Sequence, residues 1–307
     1  MRNISAGCWS VLFGLYLSSC GEQYDKINSV AALYSDQQII SNIVYSNIDS
    51  INLVLDVYVS AKRLGQPPWY EYSERRKPVV LYFHGGGWVV GDKISHSRYL
   101  LPYIDKKWCV VNANYRHLDK TSLVGIIGDA RSALNWIYEN AEKYKFDTTK
   151  IVVSGESSGG HIALMTALAM DETLFSQGHI KPGRKLTVAG VINWFGVTDL
   201  IKASVKWDAA YVNAIMPNSF GKTDSLREVS PINYITKSSV PIMTLHGNQD
   251  MMTSHDQGVM LHEQLKVLGI KNNLLTIHGK GHGNFDGAEM TTMFNEIWKF
   301  LKEIEIE

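Results

Sequence analysis

The stretch from Lys150 to Leu164, KIVVSGESSGGHIAL, constrains the fold more than any other part of this chain. Ile151, Val152 and Val153 form a β-branched run that suits a buried strand, and His161 to Met170 is built from good helix formers. Between them the pattern Gly-x-Ser-x-Gly marks a strand-to-helix turn. It is so tight that a Cβ at the flanking positions collides with neighbouring backbone, and the serine side chain is pushed out above the sheet. Only one register fits, Gly155-Glu156-Ser157-Ser158-Gly159, because a shift by one requires glycine where Glu156 stands. Ser157 is therefore the candidate nucleophile. A glycine-rich phosphate turn is the competing use of such a stretch, but the GxGxxG and Walker patterns are both absent here.

A buried strand needs neighbours, and the rest of the chain supplies them. SINLVLDVYVS, Ser50 to Ser60, alternates like an early antiparallel strand, and RRKPVVLYFHGGGW contains a buried strand ending in glycines. KWCVVNANY is followed by a helix around Leu123 to Tyr144, and KLTVAGVINWF by an irregular segment. VPIMTLHG leads to a helix from about Ser254 to Leu268, and NNLLTIHG to a C-terminal helix from about Ala288 to Lys302. Strands separated by helix-length crossovers predict an α/β fold, with a mostly parallel central sheet flanked by helices. Chemistry in such sheets gathers at the carboxyl ends of the strands.

At 307 residues, 45% hydrophobic and 20% charged, the chain has the size and composition of one large α/β domain. Thirty basic residues balance thirty acidic ones, which leaves no electrostatic footprint for nucleic acid. Ten histidines without HExxH or cysteine-rich spacing argue against a metal site, and no cofactor is expected.

The N-terminus has its own pattern. MRNISAGCWSVLFGLYLSSC begins with Arg2, runs through an apolar stretch to Leu17 and closes on Leu17-Ser18-Ser19-Cys20. This resembles a bacterial lipoprotein signal over residues 1–20, lipidated at Cys20, with a short linker over 21–40. The expected location is extracytoplasmic, anchored to a bacterial membrane through the lipid. Cys109 would then be the remaining thiol, read as core.

HGGGW, His84 to Trp88, ends a strand ahead of the serine. A tetrahedral intermediate needs backbone N–H donors aimed at its oxyanion, and consecutive glycines allow that approach. The expected hole is Gly86, Gly87 and the amide of Ser158, with His84 in a structural role.

HGGGW, NYR at Asn114 to Arg116, GESSGG, HGNQD and GHG together resemble the α/β-hydrolase fold over roughly residues 40–305. The resemblance is to carboxylesterases related to hormone-sensitive lipase and to the feruloyl-esterase-like branch. It implies the chain order oxyanion loop, nucleophile, acid, histidine. The chain departs from the lipase-related pattern in having Glu156 and Ser158 where that branch has aspartate and alanine.

A serine hydroxyl needs a histidine to take its proton, and the imidazole needs a carboxylate to fix its tautomer. Asp250 lies in a loop just past a strand, whereas Asp256 falls where a helix has begun, and Asp199 in WFGVTDL is the rival acid. His282, between Gly281 and Gly283, sits in a loop able to fold over the serine, whereas His278 is still on a strand. The expected triad is Ser157, Asp250 and His282, in a catalytic domain spanning 41–307.

Residues from about 198 to 234 break the strand–helix rhythm and are read as a small cap insertion, with Trp207, Tyr211, Ile215 and Met216 spaced like one helical face. Trp88, Trp194, Trp207 and Tyr211 are candidates for a substrate pocket. The resulting expectation is a serine carboxylic ester hydrolase acting on small-molecule or glycan esters. A serine peptidase of the same fold and a non-catalytic binding lipoprotein are the alternatives.

Overall fold

The computed structural model describes residues 37–63, 70–175, 185–207 and 223–307. Within them nine strands form one sheet: β1 (Gln37–Ile48), β2 (Ile51–Arg63), β3 (Tyr70–Tyr72), β4 (Lys77–Phe83), β5 (Cys109–Ala113), β6 (Phe146–Glu156), β7 (Gly190–Trp194), β8 (Ile242–Gly247) and β9 (Asn272–Ile277). Their spatial order is β1-β2-β5-β4-β6-β7-β8-β9, with β3 pairing β2. β1, β2 and β5 are joined by antiparallel ladders, and every pairing from β5 across to β9 is parallel. The sheet is mostly parallel with helices between its strands, as the strand–helix alternation predicts, and this is the α/β-hydrolase architecture that the motif resemblance implies.

The parallel strands need crossovers, of which α2 (Leu123–Glu139), α4 (Ser158–Leu168) and α7 (Asp256–Val267) are the long helices, and α8 (Gly287–Glu303) follows the last strand. Short helices α1 (Leu101–Asp105), α3 (Ala141–Tyr144), α5 (Leu200–Ser204) and α6 (Thr223–Glu228) fill the connections. The helix expected over Leu123 to Tyr144 is broken at Asn140, so α2 and α3 are separate.

Because side chains alternate across a strand, each central strand feeds two cores. Val79, Leu81 and Phe83 of β4 join Leu55, Val153, Ile126 and Ile162 on one face. Val80 and Tyr82 join Val110, Val152, Ile192, Phe294 and Ile297 on the other. Covering on both faces explains why β4, β5, β6 and β8 read as apolar runs rather than alternating ones. Cys109 opens β5, is 2% exposed, and has its thiol pKa pushed up to about 12 by burial.

One further boundary differs from the sequence-based expectation. β1 begins at Gln37, ahead of the domain start placed at 41, and pairs with nearly the whole of β2. The expected cap is described only in part. Its ends form α5, α6 and a 3₁₀ turn at Pro231–Tyr234, and Tyr211, Ile215 and Met216 lie outside the described residues. The signal sequence with Cys20 also lies outside them.

Candidate active site

The turn between β6 and α4 holds Ser157 at φ 56°, ψ −119°, a left-handed backbone position that an L-residue adopts only when its surroundings enforce it. The enforcement is visible. A Cβ on Gly159 would lie 2.1 Å from the Phe83 carbonyl oxygen, and one on Gly155 would lie 2.5 Å from Gly159. Helix and strand therefore approach more closely than any other residue pair allows at these two positions. The Ser157 amide donates to the Trp194 carbonyl at 2.8 Å, pinning the turn to β7.

The Ser157 hydroxyl faces His282, with Oγ 2.9 Å from Nε2. On the far side of the ring, Nδ1 lies 2.7 Å from Asp250 Oδ2. A carboxylate only accepts, so Nδ1–H donates to Asp250, and the bare Nε2 accepts the serine proton. Asp250 comes from the turn after β8 and His282 from the loop after β9. Gly247 lets these two segments meet, since a Cβ there would sit 2.3 Å from the Lys280 carbonyl oxygen. The Phe195 ring packs edge-on against the His282 imidazole, centroids 4.7 Å apart.

Asp250 is held at both oxygens. Oδ1 accepts the amides of Met252 at 2.8 Å and Thr253 at 2.9 Å. Oδ2 also receives His246 Nε2 at 3.4 Å, and the same nitrogen donates to the Thr253 carbonyl at 2.8 Å. Burial pushes the Asp250 pKa up, but the bonds from His246, His282 and the Thr253 amide outweigh it and hold the carboxyl well below the usual carboxylate range. The site thus keeps a permanent anion behind the imidazole. His246, whose side chain is fully buried, is a partner that sequence reasoning missed, although the HGNQD motif contains it.

The rival assignments fall elsewhere. Asp199 caps α5, its side chain accepting from the Lys202 amide at 3.1 Å. His278 lies just past β9 beside Asn248, and Asp256 is the first residue of α7.

The glycine loop after β4 turns back on itself, with the amides of Val89 and Val90 both donating to the Gly86 carbonyl at 3.1 Å. Gly86 has φ 124° and Gly87 φ 60°. A Cβ on Gly86 would lie 1.9 Å from the Val90 carbonyl oxygen, so this turn is closed to every other residue. Ser158 is the first residue of α4, where a helix leaves its amide without an intrahelical partner and carries its positive dipole end. The His84 ring is buried, stacks on Tyr115 at 4.4 Å and bonds the Gly85 carbonyl through Nδ1, and burial lowers its pKa to about 4. It is a neutral structural residue. In NYR, Arg116 makes a two-pronged ion pair with the buried Asp129, and Asn114 anchors Asp92 and the Lys93 amide.

Two of the expected pocket residues are packing residues instead. Trp194 is 0% exposed and lies against Tyr99 and Phe294, leaving no surface for a substrate. Trp88 is 2% exposed, with its ring edge-on to His161 and Trp207. Trp194 ends the covered strand β7, and Trp88 lies in the glycine loop after β4 with its ring turned into the core. Trp207 is partly buried at the edge of the core, and Tyr211 lies outside the described residues.

This geometry agrees with the comparisons. Esterase LipC of Mycobacterium tuberculosis is 25% identical over 236 residues, covering 74% of this chain and 58% of the relative. Carboxylesterase NlhH of the same organism is 38% identical over 105 residues, 34% of this chain and 33% of the relative. The chain spans about half the length of the first curated relatives it matches. Among solved structures, a bifunctional GH43-CE protein of Bacteroides eggerthii superposes with a TM-score of 0.74 at 24% identity, covering 87% of this chain and 38% of that one. An esterase of Thermogutta terrifontis, Est2, superposes with a TM-score of 0.69 at 23% identity, covering 86% of this chain and 92% of that one. The BD-FAE family pattern matches residues 69–265, from just before β3 into α7, and so the chain belongs to the BD-FAE family of α/β hydrolases.

Proposed function

We propose that the chain is a serine carboxylic ester hydrolase. The observation that carries this reading is the unbroken path from Ser157 through His282 to Asp250, at 2.9 and 2.7 Å, at the carboxyl edge of the sheet. Ser157 Oγ attacks the ester carbonyl carbon while His282 Nε2 takes its proton, and Asp250 stabilises the imidazolium. The amides of Gly86, Gly87 and Ser158 receive the oxyanion, in a region where fixed dipoles need no reorganisation. Collapse of the tetrahedral intermediate breaks the bond to the alcohol oxygen, which leaves with the proton held by His282. Water then adds to the acyl-serine by the same route in reverse and releases the acid. These roles use only groups the chain supplies.

The acyl or alcohol part of the substrate is proposed to be a small molecule or a glycan. Support comes from the names of proteins with the same fold, a carbohydrate esterase from gut microbiota and the bifunctional Bacteroides protein. The test is hydrolysis by purified protein of nitrophenyl esters of graded chain length beside acetylated and feruloylated oligosaccharides. No turnover on any of them would remove the reading.

Residues 1–20 are proposed to direct export and lipidation at Cys20, on the strength of the Leu17-Ser18-Ser19-Cys20 pattern. Labelled palmitate should enter the protein in a bacterial host, and Cys20→Ser should abolish labelling.

A further inference from the structure

Glu156 stands one residue before the nucleophile, and its side chain is 4% exposed. One of its oxygens accepts the Tyr82 hydroxyl. The other accepts the Gly85 amide at 2.6 Å and His96 Nδ1 at 2.5 Å. Gly85 adjoins Gly86, so a single buried carboxylate ties the nucleophile turn to the glycine loop. Among the described residues His96 is its only ion-pair partner. Among the described residues no lysine or arginine is paired with it.

A buried carboxylate is costly unless paired. Here it also lies next to the place where an ester oxyanion develops, and like charges repel strongly in a poorly solvated site. The His96 side chain is 37% exposed, so it exchanges protons with solvent while Glu156 does not. In both protonation states Nδ1–H bonds the carboxylate, but only the imidazolium cancels its charge.

We propose that His96 is a positioning residue for the ester reaction: as the imidazolium it acts through Glu156 to neutralise the negative charge beside the oxyanion amides and to hold the Gly85–Gly87 loop, and losing its proton weakens that support. This rests on the ester hydrolase reading above. The ionisable groups acting on His96 are Glu156 at the end of β6 and Arg98 on its own loop, while the Tyr82 hydroxyl of β4 reaches the same carboxylate and the Tyr99 ring stacks on Tyr82. Burial and Arg98 disfavour the imidazolium and Glu156 favours it. Glu156 prevails, so the pKa is raised. The sign follows: support is present at low pH and is lost as pH rises through the His96 pKa, while His282 must be unprotonated to accept the serine proton. Activity is thereby confined to a window whose alkaline edge belongs to His96.

The experiment measures kcat and KM for p-nitrophenyl acetate across pH in wild type and His96→Gln, with circular dichroism melting as the folding control. Glutamine retains a donor toward Glu156 but carries no charge. The expected wild-type kcat falls about tenfold on the alkaline side, less than the loss of a whole oxyanion donor. His96→Gln is expected to have that lower kcat throughout, without an alkaline edge, and with KM changed less than about twofold. A second measurement is independent of turnover: in Ser157→Ala, the His96 imidazole NMR signal, assigned by its absence in His96→Gln, should titrate above the unperturbed histidine value of about 6.5. An active wild type whose pH profile survives His96→Gln overturns the proposal and leaves the ester hydrolase reading standing, as does a His96 signal titrating at or below that value. A wild type inactive on every ester, with His96 still titrating high, removes the hydrolase reading and the oxyanion role of His96 together, leaving only the pairing with Glu156.

Discussion

Replacing Asp250 by asparagine tests the orientation of the whole charge path, and the structure says which way the new amide must turn. Oδ1 of Asp250 is fixed by two backbone donors, Met252 at 2.8 Å and Thr253 at 2.9 Å. The asparagine oxygen has to take that place, which forces the NH2 group into the Oδ2 position facing His282 Nδ1. A donor there stabilises the imidazole tautomer with a bare Nδ1 and a proton on Nε2, so His282 points a proton at Ser157 instead of a lone pair. The same NH2 faces His246 Nε2–H, which keeps the Thr253 carbonyl at 2.8 Å but loses its contact with the carboxylate, and giving up bonds to a charged acceptor costs about 1.5–3 kcal/mol. The expected outcome is a fall in kcat of roughly 10⁴, which is about 5.4 kcal/mol at 1.36 kcal/mol per decade, with little change in KM. Melting should drop by several degrees, since 1 kcal/mol corresponds to a few degrees in a chain of this size. Steady-state hydrolysis of p-nitrophenyl acetate and thermal melting by circular dichroism read the two effects separately. A folded Asp250→Asn protein within tenfold of wild type would refute the tautomer reasoning.

Other substitutions separate neighbours in sequence. Ser157→Ala should lower kcat by about 10³ to 10⁶ in the same assay, whereas Ser158→Ala, which deletes a buried hydroxyl that makes no hydrogen bond, should leave turnover and melting near wild type. Asp199→Asn should hold kcat and shift stability by no more than about 0.5 kcal/mol by urea denaturation, because asparagine caps a helix as well as aspartate does. Gly86→Ala should cost roughly 10² to 10³ in kcat, since its φ of 124° and the Val90 carbonyl at 1.9 Å oblige the loop to move away from the oxyanion. Burst kinetics would show whether acylation is the step affected.

The parts of this molecule that were legible in the sequence share one property, a local signature. The nucleophile turn shows itself because Gly155 and Gly159 are required by backbone contacts at fixed spacing around Ser157. Asp250 and His282 were readable because each follows a recognisable apolar strand by a few residues, which places it at the sheet edge. β1 was not readable as a strand. Its pairing with β2 slips between Ile40 and Ile43 and again between Val44 and Ser46, and Asn42 takes a left-handed φ of 58°, so the alternation that marks a strand is broken twice. Glu156 looked like a family departure and nothing more, because its partners Tyr82, Gly85 and His96 are 60 to 74 residues away and meet it only after the sheet has formed. Trp88 and Trp194 misled for a related reason: lying in or beside an active-site loop in sequence says nothing about whether a side chain turns toward the site or into the core.

The placement of Cys109 makes the sheet its own binding reporter. Its strand is paired on both edges, by β2 and β4, and its thiol is both inaccessible and protonated at neutral pH. With Cys8 and Cys20 changed to serine, a thiol reagent therefore reaches it only when the centre of the sheet opens, and the labelling rate tracks the population of open molecules. Any compound that binds the closed protein lowers that population by the factor 1 + [L]/Kd, a slowing of about a hundredfold when its concentration is 100 times Kd. Candidate esters, or their acid and alcohol halves, can then be ranked in the Ser157→Ala background from labelling rates alone, before any of them is known to be turned over.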